Sequence, residues 1–339
     1  MEQLIGVVNY LVFFAISAGI YGVLSLGLNL QWGATGLFNI GIAGFYAVGA
    51  YTSALVCGLP PTAWDGRMVG GFELPFAVGL LAAALVSGAL ALVIGLPTLR
   101  LRADYLGIAT IGIAETVRLI LKNEAWLTNG VWGLQQIPSP LYSVIHRHTA
   151  AYITAHPGLP EWQRLLVSRA YNWFYLLLVA AVLIALYFVL KRLIRSPWGR
   201  VLRAIREDED AAAMSGKNVF AFKLQSLVLG AMIMGIAGAL YAHSARFISP
   251  ASFEPLYGTF IVWVMLMVGG TGNNKGAMLG AFVVWGIWAA TDFVTDYLPW
   301  TAPQVAALRI VAIGLLLEVV IVWRPKGILS EIGAKRRAL

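Results

Sequence analysis

Long apolar segments separated by short polar ones repeat along the whole chain. Each apolar segment has roughly the 20 residues that an α-helix needs to cross the hydrocarbon core of a bilayer. The pattern predicts an all-α, polytopic membrane protein with about nine transmembrane helices in a single domain, residues 1–339. The predicted spans are residues 4–28, 36–57, 74–96, 104–121, 173–190, 222–243, 253–270, 276–293 and 303–323.

The densest charge in the chain lies in residues 191–217, between the fifth and sixth predicted spans. After Pro197 the sequence predicts a short helix with Val201, Leu202 and Ile205 on one side and charged residues on the other. An amphipathic helix at the membrane surface is suited to docking against another protein. The residues predicted to form this docking surface are Arg200, Arg203, Arg206, Glu207, Asp210, Ala211 and Gly216.

Composition and charge agree with a membrane protein whose orientation follows its basic residues. The chain is 59% hydrophobic and 12% charged, with a net charge of +8. Most Lys and Arg lie at residues 100–102, 191–223, 275 and 324–337, and loops rich in these residues stay cytoplasmic. We therefore predict residues 191–217 and the C-terminus inside, and the sparsely charged loop 122–171 outside. The first two spans have no basic residue between them, so a re-entrant pair is an alternative there.

Two glycine-rich breaks interrupt the hydrophobic pattern in a similar way. Trp32-Gly33-Ala34-Thr35-Gly36 precedes a predicted helix that contains Gly41, Gly44 and Gly49. Residues 268–272 (VGGTG) precede another that contains Gly276, Gly280 and Gly286. Gly-interrupted segments at corresponding places in two halves of a transporter point to the translocation path. Thr35, Gly36, Thr271 and Gly272 are therefore predicted pathway residues. The alternative is that these glycines only allow helices to pack closely.

Ionisable residues inside a predicted span need a partner or a role, because charges are costly at membrane depth. Glu115 and Arg118 are three residues apart in the fourth span, where they can meet on one helix face. We interpret them as a structural ion pair, with a substrate contact as the alternative.

The sequence contains no pattern that is typical of an enzyme. There is no phosphate-binding Gly-x4-Gly-Lys-Ser/Thr motif, no Gly-x-Ser-x-Gly and no His-Glu-x-x-His. The single cysteine, Cys57, excludes an intramolecular disulfide and a Cys-based metal site. We predict no catalytic residues, no metal site and no cofactor.

Several motifs, in order, resemble those of a known transporter family. Residues 27–41 (GLNLQWGATGLFNIG), followed by 49–52 (GAYT), are similar to the signature of the M-type permease subunits of branched-chain amino acid ABC importers. The sequence Asp210-Ala211-Ala212 with Gly216 resembles the Glu-Ala-Ala-x-x-x-Gly loop of ABC importer permeases, with Asp in place of Glu. Further matching segments are residues 100–106 (RLRADYL), 128–130 (TNG), 196–200 (SPWGR), 238–242 (GALYA), 269–272 (GGTG) and 324–327 (RPKG), together with Glu115 and Arg118.

This resemblance implies a multi-pass subunit of the bacterial inner membrane that forms half of a translocation pathway. Its partners would be a homologous permease, two cytoplasmic ATP-binding cassette ATPases that grip residues 191–217, and a periplasmic substrate-binding protein that contacts residues 123–132 and 249–256. For a zwitterionic amino acid, Asn29 and Asn39 are predicted to offer side-chain amides. Ile42 is also a predicted pathway residue; it stands where the family often has Gln or His, so urea, amides and aromatic acids remain alternative substrates.

Two other classes of protein are competing hypotheses. A secondary transporter that works alone on an ion gradient predicts functional carboxylates within the membrane, but Glu115 has a local partner in Arg118. A membrane-embedded enzyme predicts clustered His and Asp at one depth, which the sequence does not contain. Co-purification with ATPases favours the importer, and uptake by this chain alone favours the secondary transporter.

Overall fold

The computed structural model describes residues 2–61, 67, 69–295 and 302–329. Regular structure in this part of the chain is helical, and its only strand-like pairing is an isolated antiparallel bridge between Leu134 and Ile248. The all-α prediction is therefore confirmed. The α-helices are α1 Glu2–Leu28, α2 Ile42–Cys57, α3 Phe76–Thr98, α4 Ala103–Asn123, α5 Ala125–Thr128, α6 Tyr142–Ala155, α7 Glu161–Ser168, α8 Ala170–Arg195, α9 Pro197–Glu207, α10 Glu209–Met214, α11 Val219–Ala245, α12 Ile261–Gly269, α13 Asn274–Thr295 and α14 Ala302–Trp323.

Several of these helices have the length and composition of membrane spans. Among the described residues, Gly6–Ala34, Phe76–Thr98, Ala170–Arg195 and Val219–Ala245 are long and apolar enough to cross a bilayer. A fifth candidate is the pair Leu256–Gly269 and Asn274–Thr291, which is bent by 120°. These helices confirm a polytopic membrane protein. The count of about nine spans stays a prediction, because α2, α4 and α14 are outside this set.

Helices α1 and α11 form the centre of the bundle. Helix α11 packs against α2 and α3, α1 packs against α8 and α13, and the two central helices also contact each other. Small residues bring the backbones close: a Cβ atom at Gly238 would collide with the Tyr46 carbonyl oxygen, and one at Gly49 would collide with the backbone of Gly235. Close packing through small residues is typical of membrane helices. Gly49 therefore allows close helix packing, which was the alternative interpretation of the glycine pattern.

The ends of the bundle hold different residues. We call one end of the bundle the α9 end; it contains α9, α10, the end of α1 and the start of α11. Just after α1, Gln31 Nε2 donates to the Leu227 carbonyl of α11. At the opposite end, Ser53 of α2 bonds to His243 of α11 at 2.8 Å, and Leu134 pairs with Ile248. The predicted outer loop 122–171, which contains α5, α6 and α7, follows α4 toward this opposite end.

The second predicted span begins later than the hydrophobic pattern indicated. Residues 35–41 are outside the α-helix, which starts at Ile42 instead of Gly36. Two of the backbone N–H groups in this stretch bond to side chains: Ile40 donates to Thr110 Oγ1 at 3.0 Å, and Gly41 donates to Asn39 Oδ1 at 2.7 Å. Gly36 has a φ of +77°, a left-handed conformation that favours glycine. The apolar character of the stretch therefore reflects burial and not helix.

Candidate functional site

The first glycine-rich break continues α1 as a π-helical turn, Asn29–Ala34, before residues 35–41. Asn29, Gln31 and Asn39 have no exposed surface. The side chain of Gln31 donates to the Leu227 carbonyl at 2.9 Å and accepts a hydrogen bond from Asn39 Nδ2 at 2.8 Å. A chain of buried side-chain amides therefore connects the break to α11. Such fully hydrogen-bonded networks hold a local structure in one arrangement.

The second break, between α12 and α13, lies directly against the first. Its Gly270 and Gly272 have φ values of +113° and +78°. The Gly272 N–H donates to Asn29 Oδ1 at 2.9 Å, and Asn29 Nδ2 donates to Asn274 Oδ1 at 2.8 Å. The carboxamide of Asn29 thus joins the two breaks that the glycine pattern singled out.

The other predicted pathway residues occupy two environments. Thr35 and Ile42 are buried, and the Thr35 hydroxyl lies 2.7 Å from Ser226 Oγ and donates to the Leu30 carbonyl at 3.1 Å. Thr271 is exposed and lines a cleft. In this conformation the polar atoms of Asn29 and Asn39 bond to the protein itself. Their contact with substrate, like that of Thr35 and Ile42, stays a prediction.

The predicted docking segment forms two short helices, α9 and α10. Leu202, Ile205 and Ala212 are buried between the segment and the bundle. The Asp208 carboxylate caps α10 by accepting a hydrogen bond from the Ala211 N–H at 3.0 Å. A groove of about 550 Å³ runs between the two helices. Of the predicted docking residues, those exposed to solvent are Arg200, Glu207, Asp210, Ala211 and Gly216.

The helical pattern predicted that Arg206 lies with the exposed residues of α9. In the structure it does not. Its guanidinium donates a hydrogen bond to the carbonyl of Gly33 in the first break. Its side chain also covers Gly36, where an added Cβ would lie 3.2 Å from Arg206 Cγ. Arg203, which is half-buried, donates within its own helix to Gly199 at 3.4 Å. Arg206 thus links the docking segment to the first break by a hydrogen bond.

An apolar cleft of about 690 Å³ lies beside the two breaks. Trp32, Phe38 and Trp263 form one wall, with all three pairs of ring centroids 5.3 Å apart. Trp263 Nε1 donates to the Asn39 carbonyl at 3.1 Å, which fixes the indole against the first break. Arg324 and Lys326 also line the cleft. A mostly apolar cavity with a few polar groups is typical of a small-molecule site.

Glu115 and Arg118 form a bidentate pair on α4. Arg118 Nε donates to Glu115 Oε2 at 2.8 Å, and a terminal guanidinium nitrogen donates to Oε1 at 2.5 Å. The side chains are 37% exposed for Glu115 and 21% exposed for Arg118. The pair therefore forms on the surface of this chain rather than in its core.

Comparison with known proteins identifies the class of this arrangement. The family model described as the permease component of a branched-chain amino acid transport system matches residues 10–320. The chain belongs to this permease family. The resemblance predicted from the short motifs is thereby confirmed.

Three relatives indicate how far the similarity extends. The permease is 32% identical over 311 residues to the high-affinity branched-chain amino acid transport system permease protein LivM of Escherichia coli, covering 91% of this chain and 68% of that one. It is 24% identical over 337 residues to the probable LivM of Methanocaldococcus jannaschii, covering 92% and 91%. It is 26% identical over 265 residues to the nucleoside ABC transporter permease protein NupC of Lactococcus lactis, covering 78% and 76%. No solved structure gives a significant match.

Family membership establishes the general role of the permease. It is a transport component of a membrane importer and not an enzyme. An ABC permease of this kind implies a partner permease, ATPases and a binding protein. Its apolar helices agree with a multi-pass location in the membrane.

Sequence reasoning missed two features of the permease that depend on distant residues. The contact of Arg206 with Gly33 joins residues 173 positions apart. The fully buried His243 bonds to Ser53 at 2.8 Å and lies 2.6 Å from the Pro138 carbonyl, which ties α2 and the outer loop to α11. A histidine on an otherwise apolar helix was the one sequence signal for the second feature.

Proposed function

We propose that this permease forms half of the translocation pathway of an ABC importer for branched-chain amino acids in a bacterial inner membrane. In this proposal the partners are one homologous permease, two cytoplasmic ATPases and one periplasmic binding protein. The docking segment, residues 191–217, and the region after Trp323 face the cytoplasm, because these segments concentrate Lys and Arg. The relatives named LivM support the substrate class.

One observation carries the mechanism: Arg206 of α9 donates a hydrogen bond to Gly33 of the first break. The ATPases grip the exposed surface of α9 and α10, and their closure displaces α9. Arg206 transmits this displacement to Gly33, and Asn29 transmits it to Gly272 and Asn274 of the second break. Both breaks then move together and change access to the cleft between them and α4. The pathway residues Asn29, Thr35, Gly36, Asn39, Ile42, Thr271 and Gly272 belong to this moving unit.

The surface that receives the binding protein lies at the end of the bundle opposite α9. Val131 and Trp132 are among the most exposed apolar side chains there, and the neighbouring Leu134 pairs with Ile248. Exposed aromatic residues are common anchors of protein interfaces. The predicted contact segments 123–132 and 249–256 therefore form one continuous docking surface in this proposal.

Transport by the reconstituted complex tests the proposal. The permease, its partner permease and both ATPases are placed in proteoliposomes with ATP inside, and the binding protein and radiolabelled leucine are added outside. We expect uptake that needs ATP and the binding protein. Leucine accumulation by this chain alone on a Na⁺ or H⁺ gradient would instead establish the secondary transporter.

The aromatic wall of the cleft supports a second candidate substrate. Trp32, Phe38 and Trp263 offer faces and edges to a planar ligand. An importer of aromatic acids would use this wall, whereas an importer of urea or small amides would not need it. Competition of leucine uptake by unlabelled phenylacetate, urea and acetamide separates these alternatives.

A further inference from the structure

Helix α4 has two different faces. Leu106, Thr110 and Ala114 are buried, and Gly44 of α2 packs against Ala114. Away from this stripe, Ile111 is exposed and lines the aromatic cleft. Residues four and seven positions further along a helix return to the same face. Glu115 and Arg118 therefore follow Ile111 along the face of α4 that borders the cleft, about 6 Å and 10 Å farther along the axis.

The surroundings of the ion pair indicate that its charged groups face water rather than lipid. Glu115 and Arg118 lie in the second half of α4, which ends at Asn123, and each side chain keeps part of its surface exposed. Charges that face hydrocarbon are strongly disfavoured, so those within a membrane protein face a water-filled cavity or the interior of a bundle. Two further charges interact with the pair: Lys122 with Glu115, and Glu254 with Arg118. Glu254 directly precedes Pro255, which lines the cleft.

The pair keeps hydrogen-bonding capacity that it does not use internally. A guanidinium group has five N–H donors, and two of those of Arg118 point to Glu115. Each carboxylate oxygen of Glu115 accepts one of these bonds and has a second lone pair. The remaining donors fit a carboxylate, and the remaining lone pairs fit an ammonium group. The pair can therefore bind both charges of a zwitterion without breaking its own hydrogen bonds.

We propose that Glu115 and Arg118 form the polar part of a transient binding site for the zwitterionic substrate on its way through the permease. Glu115 accepts hydrogen bonds from the α-ammonium group, and Arg118 donates to the α-carboxylate. The apolar side chain of the substrate lies along Ile111 toward the aromatic wall. This inference rests on the proposed function, because it takes an amino acid as the substrate.

The double variant Glu115→Gln/Arg118→Gln tests the site in the complete importer. It removes both charges while leaving side chains that can still hydrogen-bond each other. Since hydrogen bonds to charged groups are the strong ones, we expect the KM for leucine to rise, or uptake to fall, about ten-fold or more. The yield of assembled complex and the ATPase activity stimulated by the binding protein should stay at the wild-type level. Thr116→Ala is the matched control, because Thr116 is exposed on the other side of α4 and should tolerate the change.

The charge-reversed variant Glu115→Arg/Arg118→Glu keeps an ion pair but exchanges its two ends. A purely structural pair would be restored by this exchange, and normal leucine uptake would then overturn the inference. Persistent loss of uptake in an assembled, ATP-hydrolysing complex supports it. Normal uptake by the double glutamine variant would also overturn it. If the wild-type complex takes up no amino acid, the proposed function fails, and this outcome is separate from a failure of the two-residue site.

Discussion

Arg206 connects the surface of the permease to its interior. It belongs to an amphipathic helix on which Arg200 and Glu207 are exposed, yet its guanidinium donates a hydrogen bond to the Gly33 carbonyl. The Gly33 carbonyl lies at the C-terminal end of the π-helical turn, where helix carbonyls lack an intrahelical partner. The Leu37 N–H, which would pair with it in a continued α-helix, bonds instead to the Gln31 carbonyl at 2.9 Å. At the level of single residues, the hydrogen bond from Arg206 to Gly33 therefore links the docking segment to the predicted pathway.

We predict that Arg206→Ala separates ATP hydrolysis from transport. A hydrogen bond to a charged donor contributes about 1.5–3 kcal/mol, so its loss should lower the uptake rate about ten-fold or more. ATPase activity should change little, because the ATPases retain the exposed surface of α9 and α10. Arg147→Ala is the control, since Arg147 is exposed on α6, outside both proposed docking surfaces, and the variant should have near-normal uptake. Equal uptake by wild type and Arg206→Ala would contradict the proposed coupling.

A second residue-level prediction concerns Asn29. Asn29→Ala leaves the Gly272 N–H and the Asn274 side chain without their buried partner. An unsatisfied buried polar group costs about 1–3 kcal/mol, so the purified permease should unfold at a lower temperature. Asn123→Ala removes an exposed amide on α4 and should leave the unfolding temperature unchanged. Matching unfolding curves for the two variants would show that the breaks are not joined through Asn29.

At the scale of helices, the bundle depends on close contacts between backbones. Helices α2 and α11 approach each other at Gly49 and Gly238, where any side chain would enter the space of the neighbouring backbone. Because lipid tails are as apolar as the helices, no hydrophobic effect drives helices together within the bilayer. Close packing at small residues therefore contributes much of the free energy of helix association. The second feature at this scale is the 120° bend between Leu256–Gly269 and Asn274–Thr291. This bend depends on the turn at residues 270–273.

Glycine-to-alanine substitutions test this packing with a matched pair. In Gly238→Ala the new methyl group would collide with the Tyr46 carbonyl oxygen, and overpacking of this kind costs about 1–3 kcal/mol. In Gly112→Ala the methyl group meets no atom within 4 Å and alanine favours a helix more than glycine does, so this control should be at least as stable as wild type. Thermal unfolding in detergent should rank Gly238→Ala below both wild type and Gly112→Ala. The reverse order would exclude tight α2–α11 packing.

At the scale of the whole molecule, the two ends of the bundle have separate tasks in the proposed importer. The α9 end carries the docking segment and both breaks, and the opposite end carries Trp132 and the Leu134–Ile248 bridge. Motion at one end can reach the other through α1 and α11, the two central helices, which contact each other. The proposed orientation follows from the distribution of Lys and Arg, and labelling from each side of the membrane can test it.

Single cysteines introduced into a Cys57→Ala background should report this orientation. Met214 is 89% exposed and Trp132 is 76% exposed, so a cysteine at either position is accessible to an impermeant maleimide. In intact spheroplasts we expect Trp132→Cys to react and Met214→Cys to stay unlabelled until the membrane is opened. Labelling of Met214→Cys from outside would place the docking segment on the wrong side and exclude the proposed ATPase contact.

Local sequence determined the all-α membrane class, the two glycine-rich breaks and the amphipathic docking segment. These features depend on hydrophobicity and glycine content over short windows, which physical chemistry translates directly into helices and turns. The i, i+3 spacing of Glu115 and Arg118 likewise places the two charges on one helix face. The predicted start of the second span, Gly36, was wrong, because α2 begins at Ile42. Residues 36–41 are apolar because tertiary contacts bury them, and hydropathy alone does not distinguish such a stretch from a helix.

Only the tertiary structure decided which of these features meet. Asn29 and Asn274 are 245 positions apart, and Arg206 and Gly33 are 173 positions apart, so no local pattern encodes their hydrogen bonds. The aromatic cleft likewise combines Trp32 and Phe38 of the first break with Trp263 of α12. Which polar groups become partners depends on how the helices pack, and helix packing is a property of the complete chain.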